Sequence, residues 1–268
     1  MKSWEDSVQE LKADPSKKEL VRACFFDDPI EESLKRYYDS SEWKAIRAVI
    51  PRAAGRAIDI GAGRGIVSYA LAQDGWKVTA LEPDSSKIVG AGAIREISSR
   101  FGLPIEVIED WGERLPFHDN QFDLVICRQV LHHARDLSKF CAEASRIMKQ
   151  GGLFLGIREH VIDGPESLRQ FLAAHPLHQA YGGENAFRLD EYTSAIEGSG
   201  LRIISQLNPF QSDINLYPLT KEDVKRRWAN KLRLPISGLI PDAVLSLRGR
   251  AVRNPGRLYS FVAVKSAR

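Results

Sequence analysis

Apolar positions recur along this chain with two different periods, and the change of period marks its architecture. Through the first fifty residues, EESLKRYYDSSEWKAIRAVI sets Leu34, Tyr37, Tyr38, Trp43, Ile46 and Ile50 at helical spacing, and Pro51 closes the run. From Arg56 the period shortens. RAIDIG reads as a buried strand, IVSYALAQDG as a helix ending at Gly75, and WKVTALEP as a second strand. DSSKIVGAGAIREISSRF reads as a second helix, with Asp84 or Ser85 as its N-cap. PIEVIE, FDLVICR and GGLFLGIREHV supply further strands, and LSKFCAEASRIMKQGG the helix between the last two. Strand alternating with helix predicts a mostly parallel sheet covered on both faces.

Beyond Val161 the pattern loosens. ESLRQFLAAH and LDEYTSAIEGSG read as helices joined by a polar loop, HPLHQAYGGENAF, and LRIISQL and RLYSFVAVK as two late strands. The long connection between those strands is unusual for a structureless loop, so it is expected to hold helices of its own. The division that follows is a helical cap over 1–50, a core over 51–207, a basic helical insertion or lid over 208–256, and a final core strand over 257–268.

Composition narrows the class. Of 268 residues, 43% are hydrophobic and 27% charged, as expected of a folded globular protein rather than a disordered or fibrous one. The first twenty residues carry charge throughout and lack the apolar core of a secretory signal; no run approaches the roughly 18 apolar residues of a membrane span. A cytoplasmic location is the expectation. Cys24, Cys127 and Cys141 are far apart and form no CxxC pair, so buried thiols are expected rather than disulfides or a zinc site. The net charge of +3 conceals an asymmetry: residues 221–257 hold ten Lys or Arg against three acids, a local net of +7 that leaves −4 for the rest. KEDVKRRWANKLRL, inside that segment, sets Val224, Trp228 and Leu232 on one helical face. It reads as a lid helix with a solvated basic face or as a contact for an anionic carrier or a membrane surface.

The chemistry concentrates after the first strand. AIDIGAGRGI places Gly61, Gly63 and Gly65 in a strand-to-helix turn, where missing Cβ atoms let backbone amides approach a polar ligand. A dinucleotide fingerprint would need a small residue where Ile66 stands. The form acid-x-Gly-x-Gly-x-Gly is similar to motif I of class I S-adenosylmethionine-dependent methyltransferases, and further stretches follow in that family's order. Glu82 closes the second strand about 20 residues after the turn. WGERLPFHDNQFDLVICRQVLHH resembles the family's fourth-strand segment, and RIMKQGGLFLGI its lead into strand five. Together these cover residues 56 to 161. The resemblance implies an α/β, Rossmann-like, doubly wound and mostly parallel seven-stranded sheet whose last strand is antiparallel, with S-adenosylmethionine as cofactor. At matching positions it implies that Asp59 meets the methionine ammonium, that Gly61, Gly63 and Gly65 shape the loop beneath the amino acid moiety, and that Glu82 holds the ribose. Arg128, at the end of the fourth strand, joins the expected cofactor contacts. Where the family carries an acid for the adenine amine this chain has Trp111, with Asp110 one place earlier; either Asp110 binds the amine or Trp111 packs on adenine.

Methyl transfer to a hydroxyl needs a base, and histidine is the first candidate. Five of the six histidines, His132, His133, His160, His175 and His178, lie on elements leaving the ends of strands four and five, where ligands bind in open parallel sheets. His133 and His160 are the candidates for a base. Glu159 and His160 should face opposite sides of their strand, so one of them at most is expected to reach the acceptor. No acidic cluster accompanies the histidines in sequence, so no metal is expected. The chain lacks the Asn- or Asp-Pro-Pro-aromatic and Pro-Cys motifs of base-methylating enzymes, which argues against a nucleic-acid acceptor. The leading expectation is O-methylation of a small metabolite or glycan hydroxyl. The alternatives are a lipid or quinone acceptor at a membrane surface, and a non-catalytic S-adenosylmethionine-binding protein.

Overall fold

Strands buried on both sides lie at the centre of the molecule. The computed structural model describes residues 3–51, 55–233 and 236–266. Leu234, the last residue of the basic helical stretch, and residues 267–268 of the expected final strand lie outside that set. The sheet holds β1 (Arg56–Ile60), β2 (Lys77–Leu81), β3 (Ile105–Ile108), β4 (Phe122–Arg128), β5 (Met148–Ile162), β6 (Phe187–Arg188), β7 (Leu201–Leu207) and β8 (Arg257–Lys265). Seven of them run in the order β3-β2-β1-β4-β5-β8-β7, and the short β6 pairs beside the end of β5. β8 is antiparallel to both of its neighbours, and the pairs from β3 through β5 are parallel. This is the doubly wound, Rossmann-like α/β architecture expected, with β6 as an eighth, two-residue strand that the apolar pattern is too short to reveal.

Both faces are covered, so the central strands lose the alternation of a half-exposed sheet: Ala57 to Ile60 of β1 are all buried. Helices Ile30–Tyr38, Ser41–Arg47, Ile66–Gln73 and Ala91–Phe101 bury Leu34, Tyr37, Trp43, Ile46 and Ile94 on one face. Helices Leu137–Ile147 and Leu189–Gly198 bury Phe140, Ile147, Tyr192 and Ile196 on the other. The N-terminal helices are tied down by Asp74, which accepts hydrogen bonds from Tyr38 Oη at 2.9 Å, Trp43 Nε1 at 3.0 Å and Arg47 Nε at 2.6 Å.

Several local expectations are corrected. The second helix of the core starts at Ala91, not at Asp84, because Asp84 and Ser86 accept backbone N–H groups at 2.8–3.1 Å and hold residues 84–89 in turns. β5 begins at Met148, so the preceding helix is shorter than its pattern suggests. The start of that helix is as expected, at Leu137, where the Asp136 side chain caps Lys139 N at 2.9 Å; His132 and His133 lie ahead of it in a single 3-10 turn, Leu131–His133.

Between β7 and β8 the chain forms helices Lys221–Leu232 and Asp242–Ala251 around a small core of Leu216, Val224, Ala229, Ile240 and Leu245, with Phe210 and Trp228 against it. Leu232 does not join the face expected for it: it is 64% exposed, because Arg233 turns left-handed (φ +56°) and ends the helix there. Lys221 and Lys225 both pair with Asp242, at 2.8 and 2.5 Å.

Candidate active site

Gly61, Gly63 and Gly65 each adopt positive φ (+68°, +54° and +82°), a region that side chains disfavour. A Cβ at Gly61 would lie 2.5 Å from Val130, so the turn packs directly on a residue two places past β4; a Cβ at Gly63 would meet nothing within 4 Å. The turn therefore has a packed side and an open side. Two carboxylates lie beneath it. Asp59 is buried and accepts the Ser68 hydroxyl at 2.6 Å, and burial pushes its carboxyl up to about 6. Glu82, 8% exposed, accepts the N–H groups of Gly63 at 2.7 Å and Asp84 at 3.0 Å, and burial pushes it up to about 7. Among the described residues neither carboxylate makes an ion pair. A ligand that brings cationic groups and hydroxyls, as S-adenosylmethionine does, suits this donor set.

The turn is also clamped from the N-terminal side. Arg64 is buried and donates to the carbonyls of Phe25 at 3.0 Å and Asp27 at 3.2 Å, and to the Asp28 carboxylate at 2.9 Å. The first helix, Trp4–Ala13, reaches over the same region: Lys12 pairs with Asp28, Glu5 accepts the Ser86 hydroxyl, and Trp4 packs on Tyr181 with ring centroids 5.3 Å apart.

At the expected adenine position, Asp110 accepts the Trp111 backbone N–H at 2.8 Å, and the Trp111 ring is 61% exposed with Arg135 5.6 Å from its centroid. Arg128 is committed to a third carboxylate, although its charge also reaches Asp59 and works against the upward push of burial there. Its guanidinium grips Glu42 at 2.6 and 3.1 Å, and Arg158 reaches the same carboxylate at 3.5 Å. Glu42 and Arg158 are buried and Arg128 is largely so, and the paired arginines hold Glu42 ionised against its burial. Arg128 thus also serves as a strut between the N-terminal helices and the sheet. Gln129 and Arg158, next to these contacts, both hold positive φ (+57° and +60°), strain that a packed polar centre can sustain.

The histidines converge. His132 Nδ1 lies 2.7 Å from Glu159, which also accepts the N–H groups of Val130 and His132 at 3.1 Å each. His132 Nε2 and His133 Nε2 lie 3.6 and 3.8 Å from Glu184 Oε2, and His133 Nδ1 lies 3.2 Å from the Gly183 carbonyl. The His160 ring is 4.9 Å from His132 and 5.4 Å from His175, and its Nδ1 lies 2.9 Å from the Gly256 carbonyl. Burial opposes the charged form of His132, but Glu159 and Glu184 outweigh it and lift the imidazole to about 9. Burial and the charge on His132 push His160 down to about 4, and lower His133 as well.

Two expectations change here. Glu159 and His160 both touch His132, because the register of β5 slips between Gly156 and Glu159 and Arg158 turns left-handed, which breaks the pleat. The histidines also have acids beside them: Glu159 comes from the next strand and Glu184 from the loop after His178. Sequence reading missed Glu42, Arg64 and Ser68 altogether. Ser68 had a weak signal, a hydroxyl one turn into the helix after the glycines; the others act through contacts 36 or more residues away.

Comparison with known proteins agrees with this geometry. A family model described as "Methyltransferase domain" matches residues 58–156. The chain is 30% identical over 122 residues to the uncharacterized methyltransferase YcgJ of Bacillus subtilis strain 168, covering 42% of this chain and 44% of that one. It is 34% identical over 104 residues to a ubiquinone biosynthesis O-methyltransferase of Methylobacterium sp. strain 4-46, covering 39% and 41%. The matches thus span less than half the length of these two relatives. Among solved structures, YcgJ superposes with a TM-score of 0.58 at 20% identity over 85% of this chain and 99% of that one. A geranyl diphosphate methyltransferase in complex with SAM superposes at 0.59 and 15% identity, over 90% and 94%. At such identities the structural likeness concerns the fold.

Proposed function

We propose that this chain, whose residues 58–156 match a methyltransferase-domain family model, is a class I S-adenosylmethionine-dependent methyltransferase that transfers the methyl group of S-adenosylmethionine to a hydroxyl of a small molecule or glycan. The observation that carries this reading is the pair of buried, unpaired carboxylates, Asp59 and Glu82, beside a glycine turn open at Gly63. Asp59 would hold the ammonium and Glu82 the ribose hydroxyls; the cofactor supplies an electrophilic methyl on a sulfonium. This chain's part is then alignment, exclusion of water and removal of the acceptor's proton. Val130 joins the two halves: its side chain packs under Gly61 and its N–H is held by Glu159, so the histidine cluster is fixed directly against the cofactor turn. His133, 43% exposed and with Nδ1 set on a carbonyl, is the base favoured here; His160 is held too far toward its neutral form to take a proton readily. Calorimetry with S-adenosylhomocysteine, followed by transfer of labelled methyl to a panel of hydroxyl acceptors, tests the proposal. No cofactor binding by folded protein would end it.

A second reading has an observation of its own. Leu232, Ile236, Leu239, Val244 and Leu247 are between 45% and 70% exposed within one short segment, among exposed Arg226, Arg227, Lys231, Arg248 and Arg250. Apolar side chains ringed by arginine suit the surface of an anionic membrane, and a lipid or quinone acceptor would be met there. The ubiquinone O-methyltransferase relative points the same way. Among the described residues no helix is long and apolar enough to cross a membrane, so contact would be peripheral.

A further inference from the structure

The histidine cluster contains an arrangement that acid–base chemistry does not explain. Glu184 Oε2 is buried and has no hydrogen-bond partner, although the side chain as a whole is only 9% exposed. The atoms nearest to it, His132 Nε2 at 3.6 Å and His133 Nε2 at 3.8 Å, are too far to donate to it. The surrounding imidazoles lie close enough to attract that oxygen, but none is close enough to hydrogen-bond it. One donor atom from each of His132, His133 and Glu184 lies within 4.8 Å of the other two.

We infer that His132, His133 and Glu184 bind a first-row divalent cation of the zinc class. In a tetrahedral site with bonds of about 2.0–2.1 Å, neighbouring donors stand roughly 3.3–3.4 Å apart. The carboxylate–imidazole separations here exceed that by only a few tenths of an ångström, so small side-chain rotations bring the donors onto a common ion. The outer contacts are those a metal-binding histidine uses to fix its ring: Nδ1 of His132 on the Glu159 carboxylate and Nδ1 of His133 on the Gly183 carbonyl. Both rings therefore direct Nε2 toward Glu184. Two imidazoles and one carboxylate suit zinc, cobalt or iron(II) far better than calcium or magnesium, and three protein ligands leave a coordination position free. His175, with Nδ1 4.0 Å from Glu184 Oε1, borders that position. With the cation bound, His133 Nε2 is a ligand and cannot also serve as the base; the cation would then lower the pKa of the acceptor hydroxyl it holds. That role rests on the methyltransferase reading; the cation's binding does not.

The test uses the full chain, stripped with a chelator and titrated with cobalt(II), then with zinc. Visible absorption of four- or five-coordinate cobalt should develop to one equivalent and vanish as zinc displaces it. Glu184→Gln and His133→Gln should each lower metal affinity at least ~100-fold, whereas His118→Gln, on an exposed histidine elsewhere, should leave it unchanged. The inference falls if wild-type protein that still binds S-adenosylhomocysteine takes up no metal at stoichiometric concentration. It falls equally if metal binds but neither Glu184→Gln nor His133→Gln weakens it. Metal binding by protein that ignores S-adenosylhomocysteine would uphold the site and overturn the methyltransferase proposal instead.

Discussion

Glu82 Oε2 accepts the backbone N–H of Gly63 at 2.7 Å, so the acid expected to hold the cofactor also shapes the turn beneath it. Because burial pushes that carboxyl up to about 7, its charge is only half developed near neutral pH. Cofactor binding that needs the ionised form should strengthen about tenfold from pH 6 to pH 8, since the ionised fraction rises about tenfold over that interval. Calorimetry with S-adenosylhomocysteine at the two pH values checks this, and Glu82→Gln should weaken binding while flattening the dependence.

The same shift bears on stability with the opposite sign. A carboxyl raised from 4.5 unfolded to about 7 folded favours the folded state fully below pH 4.5 and loses that contribution as pH rises through 7. Without cofactor, Glu82 alone should withdraw about 3 kcal/mol between pH 4.5 and pH 8. Chemical denaturation across that range should show a steeper decline in the wild type than in Glu82→Gln.

Arg64 joins the glycine turn to residues 25–28 through three hydrogen bonds. Arg64→Ala should release the N-terminal helices without touching either carboxylate. Cleavage near residues 14–29 in limited proteolysis should accelerate, and cofactor affinity should drop about tenfold. An unchanged digestion pattern would show that the Asp74 and Glu42 anchors suffice to hold the cap.

Glu42 is the carboxylate shared by two arginines from different strands, Arg158 buried and Arg128 largely so. Glu42→Ala leaves both charges uncompensated and should cost about 3–5 kcal/mol, lowering Tm by roughly 10 °C. Differential scanning calorimetry reads this directly.

His133→Ala should cut kcat by about 10²–10⁴ with little change in S-adenosylhomocysteine affinity, the signature of a group that acts on the acceptor. His160→Ala should cost less, because that imidazole is held near 4. Equal losses in both variants would shift the role of base away from His133.

If the exposed apolar segment meets a membrane, Leu232→Asp with Leu247→Asp should abolish co-sedimentation with vesicles containing phosphatidylglycerol. Wild-type protein left in the supernatant would favour the soluble acceptor.

The succession of strands along the chain, the glycine turn and the places of Asp59 and Glu82 near it were legible in the sequence, because each rests on neighbours within a few residues or on a period repeated along one element. Burial on both faces leaves the covered part of β1, Ala57 to Ile60, no polar position except Asp59, which is why one acid in an apolar run carried so much information. Only the tertiary structure decided what Arg128 holds, since its partner Glu42 lies 86 residues away on a helix whose pattern shows merely that it is amphipathic. The same is true of the histidines. Their spacing showed five imidazoles near two strand ends, but the acid that faces two of them enters from a loop some fifty residues further on, and a slip in the pleat of β5 brings Glu159 and His160 to one ring. Periodicity records which face of an element is apolar. It carries no term for which distant side chain will close a polar contact, and that contact is where this protein's chemistry is set.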